Sequence, residues 1–218
     1  IKVIHHGVPY RQLEPREVLK AKAGLEGRTI ISTFGLINPG KGLEYGIQAI
    51  ASVAQTHPEV LYLILGETHP GIKQESGESY RESLERLVDD LQIHSNVRFV
   101  NRYLTQEEII SYLQLSDIYM TPYLNPEQAV SGTLAYAVGY GRVTVSTPYR
   151  YAQDILSNGR GMLAKFKDAK SLAECINFLL EHPEEKAAME ERCLQLGKRM
   201  MWPQVAREYE QLFLTAID

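Results

Sequence analysis

Asn125-Pro-Glu-Gln-Ala-Val-Ser-Gly-Thr-Leu-Ala-Tyr-Ala-Val-Gly-Tyr-Gly-Arg-Val-Thr-Val-Ser-Thr147 reads as a loop of small residues, a short helix opening near Ser131, and a buried strand over 143–146. A helix that begins on Ser131, Gly132 and Thr133 presents unpaired backbone N–H groups and the positive end of its dipole, where proteins hold phosphate. Gly132 has no Cβ, so an anion can approach the backbone there. The stretch is therefore a phosphate site if it lies at the C-terminal edge of a parallel sheet.

Outward from it, six short β-branched or apolar runs read as buried parallel strands: 29–34, 60–65, 97–100, 118–122, 143–146 and 161–166. Helical spacing fills the intervals at 43–54 and 80–91. Thr105 is an N-cap with Glu108 three residues on, a capping-box pattern. Three consecutive helices follow over 169–181, 183–198 and 202–217. Strand–helix alternation predicts a Rossmann-like, doubly wound parallel sheet of about six strands with helices on both faces. Right-handed crossovers then gather the loops 35–41, 66–79, 101–104 and 123–131 on one edge. The Gly/Ser-rich loop over 70–79 is either a mobile lid or a surface excursion.

The chain has 218 residues, enough for a sizeable core, with 44% hydrophobic and 23% charged residues. A net charge of −4 argues against a general nucleic-acid binder. Cys175 and Cys193 fall in helical patterns without CxxC or metal spacing and read as packing thiols of a reducing compartment. The six histidines form no His-x-x-x-His pair, so no metal site is expected. No apolar run approaches the ~18 residues of a membrane span. The chain opens Ile1-Lys-Val-Ile, without methionine and in strand-like sequence. It is therefore expected to be a fragment whose upstream domain is missing.

Gly35-Leu-Ile-Asn-Pro-Gly-Lys-Gly42 nearly spells a P-loop, but Gly42 stands where a magnesium-binding hydroxyl belongs. What survives is metal-free phosphate binding by Lys41 and the glycines Gly35 and Gly40, with a solvated lysine in a Gly-rich turn as the alternative. No Gly-x-Gly-x-x-Gly follows the first strand, which weighs against a nicotinamide or flavin enzyme. Gly139-Tyr-Gly141 reads as a helix stop. Glu127 and Gln128 precede the Ser131 helix, either as sugar contacts or as a polar loop tip. Tyr136 is either a ribose neighbour or a packing ring. Arg102 follows a strand directly, in the cleft edge or on the surface. Asp117 reads as a structural cap, and His5-His6-Gly7-Val8-Pro9 as a loop leaving a first strand.

At these residues the chain resembles the C-terminal, donor-binding domain of family 4 (group 1) glycosyltransferases, retaining enzymes with the two-domain GT-B fold. The similarity runs essentially end to end. Ile4-His-His-Gly-Val-Pro9 resembles the segment that opens that domain. The stretch from Phe34 to Glu44 resembles its Lys-Gly-hydrophobic-Glu motif, and Leu63-Ile-Leu-Gly66 its second strand. Val97 to Glu108, Leu115 to Pro122, Ser131-Gly-Thr-Leu134 and Trp202 to Tyr209 follow in the family's order. Three features depart from it. The family's Glu-x7-Glu pair falls on Gln128 and Tyr136, its motif arginine on Leu36, and its Gly-x-Pro proline is lost near Arg142. Arg102 or Arg81 is the expected replacement cation.

The resemblance implies transfer of a hexose from a UDP-, GDP- or ADP-sugar to a glycan or lipid-linked acceptor, without cofactor or metal. Lys41, Glu127 and Gln128 would be the catalytic set. Gly35, Gly40, Lys41, Gly66, Arg102, Ser131, Gly132, Thr133 and Tyr136 would bind the donor. Residues 1–28 would lead in, and 199–218 would form a helix packing on the missing N-terminal domain, which carries the acceptor site. The isolated domain would be inactive. Polysaccharide synthesis in the cytoplasm, with docking at a membrane surface through the missing domain, is the expected setting. The other readings are a non-catalytic sugar-nucleotide-binding module and a nucleotide-sugar epimerase of related fold.

Overall fold

In a computed structural model, which describes residues 3–217, the elements run in chain order as α1 (Arg16–Lys22), β1 (Thr29–Phe34), a 3₁₀ turn (Pro39–Lys41), α2 (Leu43–Val53), β2 (Val60–Leu65), α3 (Pro70–Ser76), α4 (Ser79–Asp90) and β3 (Val97–Val100). They continue as α5 (Gln106–Leu115), β4 (Ile118–Thr121), α6 (Gly132–Gly139), β5 (Thr144–Ser146), α7 (Arg150–Ile155), β6 (Gly161–Leu163), α8 (Ala169–Glu181), α9 (Pro183–Met200) and α10 (Trp202–Ile217). All six strands are parallel in the order β3-β2-β1-β4-β5-β6. The order reverses between β1 and β4. That reversal is the switch point outside which open α/β sheets bind ligands.

The continuous apolar runs are split by the strand period of two. Ile31, Tyr62, Ile64, Ile118, Met120 and Val145 pack on one face with α2, α4 and α8. Ile30, Leu61, Leu63, Leu65 and Tyr119 pack on the other with α1 and α5. A third cluster joins α6, α7 and α9 through Leu134, Val138, Ala152, Cys193 and Met200. Helices therefore cover both faces, as the alternation predicted. The capping box at Thr105 and Glu108 is formed.

Several boundaries and one segment differ from the reading of the sequence. β4 stops before Pro122, which has no N–H to donate to the ladder. β5 starts after Val143, and β6 ends at Leu163 instead of 166. The segment read as a long loop contains α3, capped where the His69 Nδ1 accepts the Gly71 N–H at 3.1 Å, with Pro70 in the first turn. Residues 3–7 are irregular instead of a strand end, and residues 1–2 lie outside the described residues. Val8 forms a bridge with Met201 that ties the lead-in segment to the α9–α10 junction. Asp117 is structural, as read. Its Oδ2 accepts the Ile30 N–H at 2.7 Å, and Lys20 and Arg16 pair with it at 2.9 and 3.2 Å.

Three core tyrosines give the fold a pH limit. Burial raises the phenols of Tyr62, Tyr119 and Tyr149 well above their ordinary value near 10. An acid whose folded pKa is raised stabilises the fold below the unfolded value and loses that contribution as pH climbs through the folded one. Each therefore costs about 1.4 kcal/mol per pH unit above roughly 10. Arg142, held down to about 10 by burial and by Arg16, works in the opposite sense, as do Lys186 and Arg160, both lowered by burial. The burial-raised phenols of Tyr80, Tyr140 and Tyr151 and thiols of Cys175 and Cys193 add to the loss. Urea unfolding at stepwise pH should show stability beginning to fall near pH 9, where the thiols of Cys175 and Cys193 ionise in the unfolded chain, and falling steeply beyond about 10. A flat profile to pH 11 would contradict burial of these phenols.

Candidate functional site

At the C-terminal edge, the loops after β1 and β4 meet across the switch point. Gly42 takes φ +59°, and a Cβ there would lie 2.3 Å from the Pro122 carbonyl, so only glycine lets the two loops touch. Gly66, φ +135°, is pressed onto Gly35 in the same way, with a Cβ meeting the Gly35 carbonyl at 2.4 Å. Gly66 therefore shapes the crevice through backbone packing.

Lys41 reaches across this junction. Its Nζ donates to the Tyr123 hydroxyl at 2.9 Å, and Tyr123 is 2.9 Å from Thr133 Oγ1, which is 3.1 Å from Ser131 Oγ. An ammonium only donates, so the phenol oxygen accepts from Lys41, and either hydroxyl can donate in the Tyr123–Thr133 bond. Tyr123 is itself fixed by stacking on Tyr149, centroids 5.5 Å apart. A Cβ on Gly35 would lie 3.1 Å from Lys41 Nζ and 3.4 Å from Thr133, so Gly35 leaves the space beside both groups.

α6 opens as predicted. Ser131 is its N-cap and accepts the Leu134 N–H at 3.3 Å, while its carbonyl accepts that of Ala135. The amides of Gly132 and Thr133 are then the free donors of the first turn among the described residues, beside an ammonium whose hydrogen-bond partner is a neutral phenol. Such a place attracts a phosphate.

Two recesses flank it. A cleft of about 320 Å³ is lined by Asn38, Gly40, Lys41, Tyr123, Asn125 and Gln128. A narrower slot of about 100 Å³ lies at the ends of β1 and β2, walled mainly by Phe34, Leu65, Leu104, Tyr103 and Ile109. Tyr136 stands beside the slot. Its ring meets Phe34 edge-on at 6.4 Å, and its hydroxyl accepts from Gln106 Nε2 at 2.8 Å.

The structure thus brings together Gly35, Gly40, Lys41, Gln128, Ser131, Gly132 and Thr133, with Gly66 beneath them and Tyr136 alongside. Three others stay apart. Arg102 is exposed and makes a two-pronged pair with Glu108 at 2.5 and 3.0 Å, on the groove between α1 and α5. Its position directly after a strand was misleading, because the capping-box glutamate captures it; the same pairing lowers the Glu108 carboxyl to about 2. Arg81 is held by Glu78 and Glu85. Glu127 is exposed at the loop tip, where only its backbone N–H is engaged, by Asn125 Oδ1 at 3.1 Å. Tyr123, Asn38 and Asn125 were missed, although each follows a strand on the functional edge.

A six-stranded parallel sheet with this crevice at its switch point defines a doubly wound α/β domain. The model of the group 1 glycosyl transferases matches residues 15–195, and the chain belongs to that family. Among curated relatives, spore coat protein SA of Bacillus subtilis (strain 168) is 21% identical over 196 residues, 85% of this chain and 50% of that protein. The chain thus spans about half the length of the curated relative it matches.

The C-terminal domain of the group 1 glycosyl transferase LpcC of Francisella tularensis superposes with a TM-score of 0.76 at 18% identity, covering 87% of this chain and 96% of that one. Anabaena Alr3699/HepE in complex with UDP superposes with a TM-score of 0.83 at 19% identity, covering 98% and 57%. The fold is that of one half of a GT-B glycosyltransferase. Among the described residues no helix is long and apolar enough to cross a membrane.

Proposed function

We propose that this chain is the donor-binding half of a retaining, family 4-like glycosyltransferase that moves a hexose from a nucleoside diphosphate sugar to a glycan or lipid-linked acceptor. The observation that carries the reading is the convergence of Lys41, through Tyr123 and Thr133, on the free amides of Gly132 and Thr133 at the switch point. In this reading the diphosphate lies on those amides, the base enters the slot by Phe34 and Leu104, and Tyr136 flanks the ribose. The sugar occupies the cleft of Asn38, Asn125 and Gln128, whose amides can donate to and accept from its hydroxyls. Lys41 stabilises the charge that grows on the leaving diphosphate.

The acceptor site belongs to the rest of the protein, so the chain by itself binds without transferring. Its N-terminal partner domain would rest on α10, where Trp202, Tyr209, Phe213 and Leu214 are exposed. A non-catalytic nucleotide-sugar module is favoured by one feature, the absence of a carboxylate at Gln128 and Tyr136. It would bind donor without turnover even in the whole protein.

Calorimetric titration with UDP, GDP and ADP tests the reading. One diphosphate should bind preferentially, and Lys41→Ala should weaken it about tenfold or more, because the free diphosphate carries the charge that transfer develops. No binding by any of the three to the whole protein would overturn the proposal.

A further inference from the structure

His6 faces the same helix end with chemistry that the proposed function leaves unused. Its ring is held from two elements, edge-on to Tyr136 of α6 and tilted against Trp202 of α10, with 6.4 Å between centroids in each case. Its Nδ1 is 2.8 Å from the Gly7 carbonyl. A carbonyl only accepts, so Nδ1 carries the proton, and in the neutral ring Nε2 is then the bare acceptor nitrogen. That nitrogen is turned toward the start of α6. A Cβ on Gly132 would lie 3.6 Å from His6 Nε2 and 4.0 Å from Cε1, the nearest atoms to it. The missing side chain thus leaves a gap between the imidazole and the first free amide.

An oxygen of a bound diphosphate in that gap would face a lone pair on Nε2, acceptor against acceptor. The contact becomes a charge-assisted hydrogen bond once Nε2 gains a proton. The charge balance favours this. The diphosphate of a nucleotide-sugar carries two negative charges, and with Arg102 and Arg81 committed to carboxylates, Lys41 supplies one side-chain cation at this helix end.

We propose that His6 is the second cationic contact to the diphosphate, and that filling the site is coupled to uptake of one proton from solvent at its Nε2. The proposal rests on the diphosphate reading given above. The titratable groups around the ring are Tyr136 of α6, Tyr151 and Asp154 of α7, Tyr209 of α10 and the adjacent His5. Arg199, Glu208 and Arg160 act on His5, which burial and Arg199 hold below the ordinary histidine range.

The test is calorimetry of the whole protein with UDP-glucose, GDP-glucose and ADP-glucose, whose diphosphate diesters do not titrate near neutrality. Each is measured in two buffers of different protonation enthalpy. The donor that binds should take up most of one proton near pH 7.5, and its affinity should fall by more than about tenfold between about pH 6.5 and 8.5, the range over which imidazoles discharge. His6→Gln should lose both effects, and His5→Gln should keep them. Binding without proton uptake in the unsubstituted protein, or uptake that persists in His6→Gln, overturns the histidine assignment and leaves the donor site standing. Failure of all three donors to bind overturns both.

Discussion

Lys41→Ala in the whole enzyme is expected to lower kcat by about 10²-fold or more while KM for the nucleotide-sugar stays within a few-fold. The direction of the effect follows from when the lysine's charge is needed. In the proposed donor complex, the diphosphate is a diester already resting on the amides of Gly132 and Thr133. As the glycosidic bond breaks, a further negative charge accumulates on the leaving oxygen. A point charge already positioned there stabilises the transition state more than the ground state.

Tyr123 makes that positioning possible. The phenol holds Nζ at 2.9 Å and is itself fixed by Tyr149 and Thr133, so little reorganisation is needed as charge develops. A loss of 10² corresponds to about 2.7 kcal/mol, within the range measured for removal of a single preorganised donor. Steady-state kinetics decide the matter. An equal change in kcat and KM, or a change in KM alone, would show that Lys41 contributes uniform binding only.

Gly197→Ala is expected to destabilise the fold by about 2 kcal/mol, lowering Tm by roughly 4–8 °C for a chain of this size. Helix propensity points the other way, since replacing an interior glycine by alanine gains about 1 kcal/mol. Packing decides the sign. A Cβ at Gly197 would sit 2.3 Å from the Gly139 carbonyl oxygen and 3.0 Å from its carbon, both rigid backbone atoms. Relief requires moving α6 away from α9, and α6 carries Ser131, Gly132 and Thr133 at its other end. The same substitution should therefore weaken nucleotide binding, although Gly197 lies at the far end of α6 from the site. An unchanged or raised Tm would contradict the close crossing.

The centre of the sheet was legible because parallel strands buried on both faces must be apolar throughout. β1 and β2 were read to the residue for that reason, and β3, an edge strand with Arg98 exposed, from its short run of β-branched and aromatic residues. Its surroundings were less so. α1 and α7 were not read: α1 is largely charged and is held by the Arg16 and Lys20 pairs with Asp117, a long-range contact that local periodicity does not carry. α3 was read as loop because Gly71 and Gly77 suggested one, whereas His69 and Pro70 start a helix.

At the site, Lys41 and the Ser131–Thr133 turn were legible from spacing alone. Arg102 was misplaced because a residue's position after a strand says nothing about a competing carboxylate three residues into the next helix. The same positional rule, applied to the residue after Pro122, would have found Tyr123. His6 was read only as part of the loop and opening segment 4–9, since what brings it to α6 is the packing of Trp202 against Gly7.

The central claim is that a nucleotide's diphosphate sits on the start of α6 within reach of Lys41. A crystal structure of the protein with its preferred nucleoside diphosphate addresses it most directly. The account predicts phosphate oxygens about 3 Å from the amides of Gly132 and Thr133 and from Lys41 Nζ, with Nζ released from Tyr123 or shared with it. A nucleotide bound elsewhere on the sheet edge, with Lys41 still held by Tyr123 alone, would contradict it.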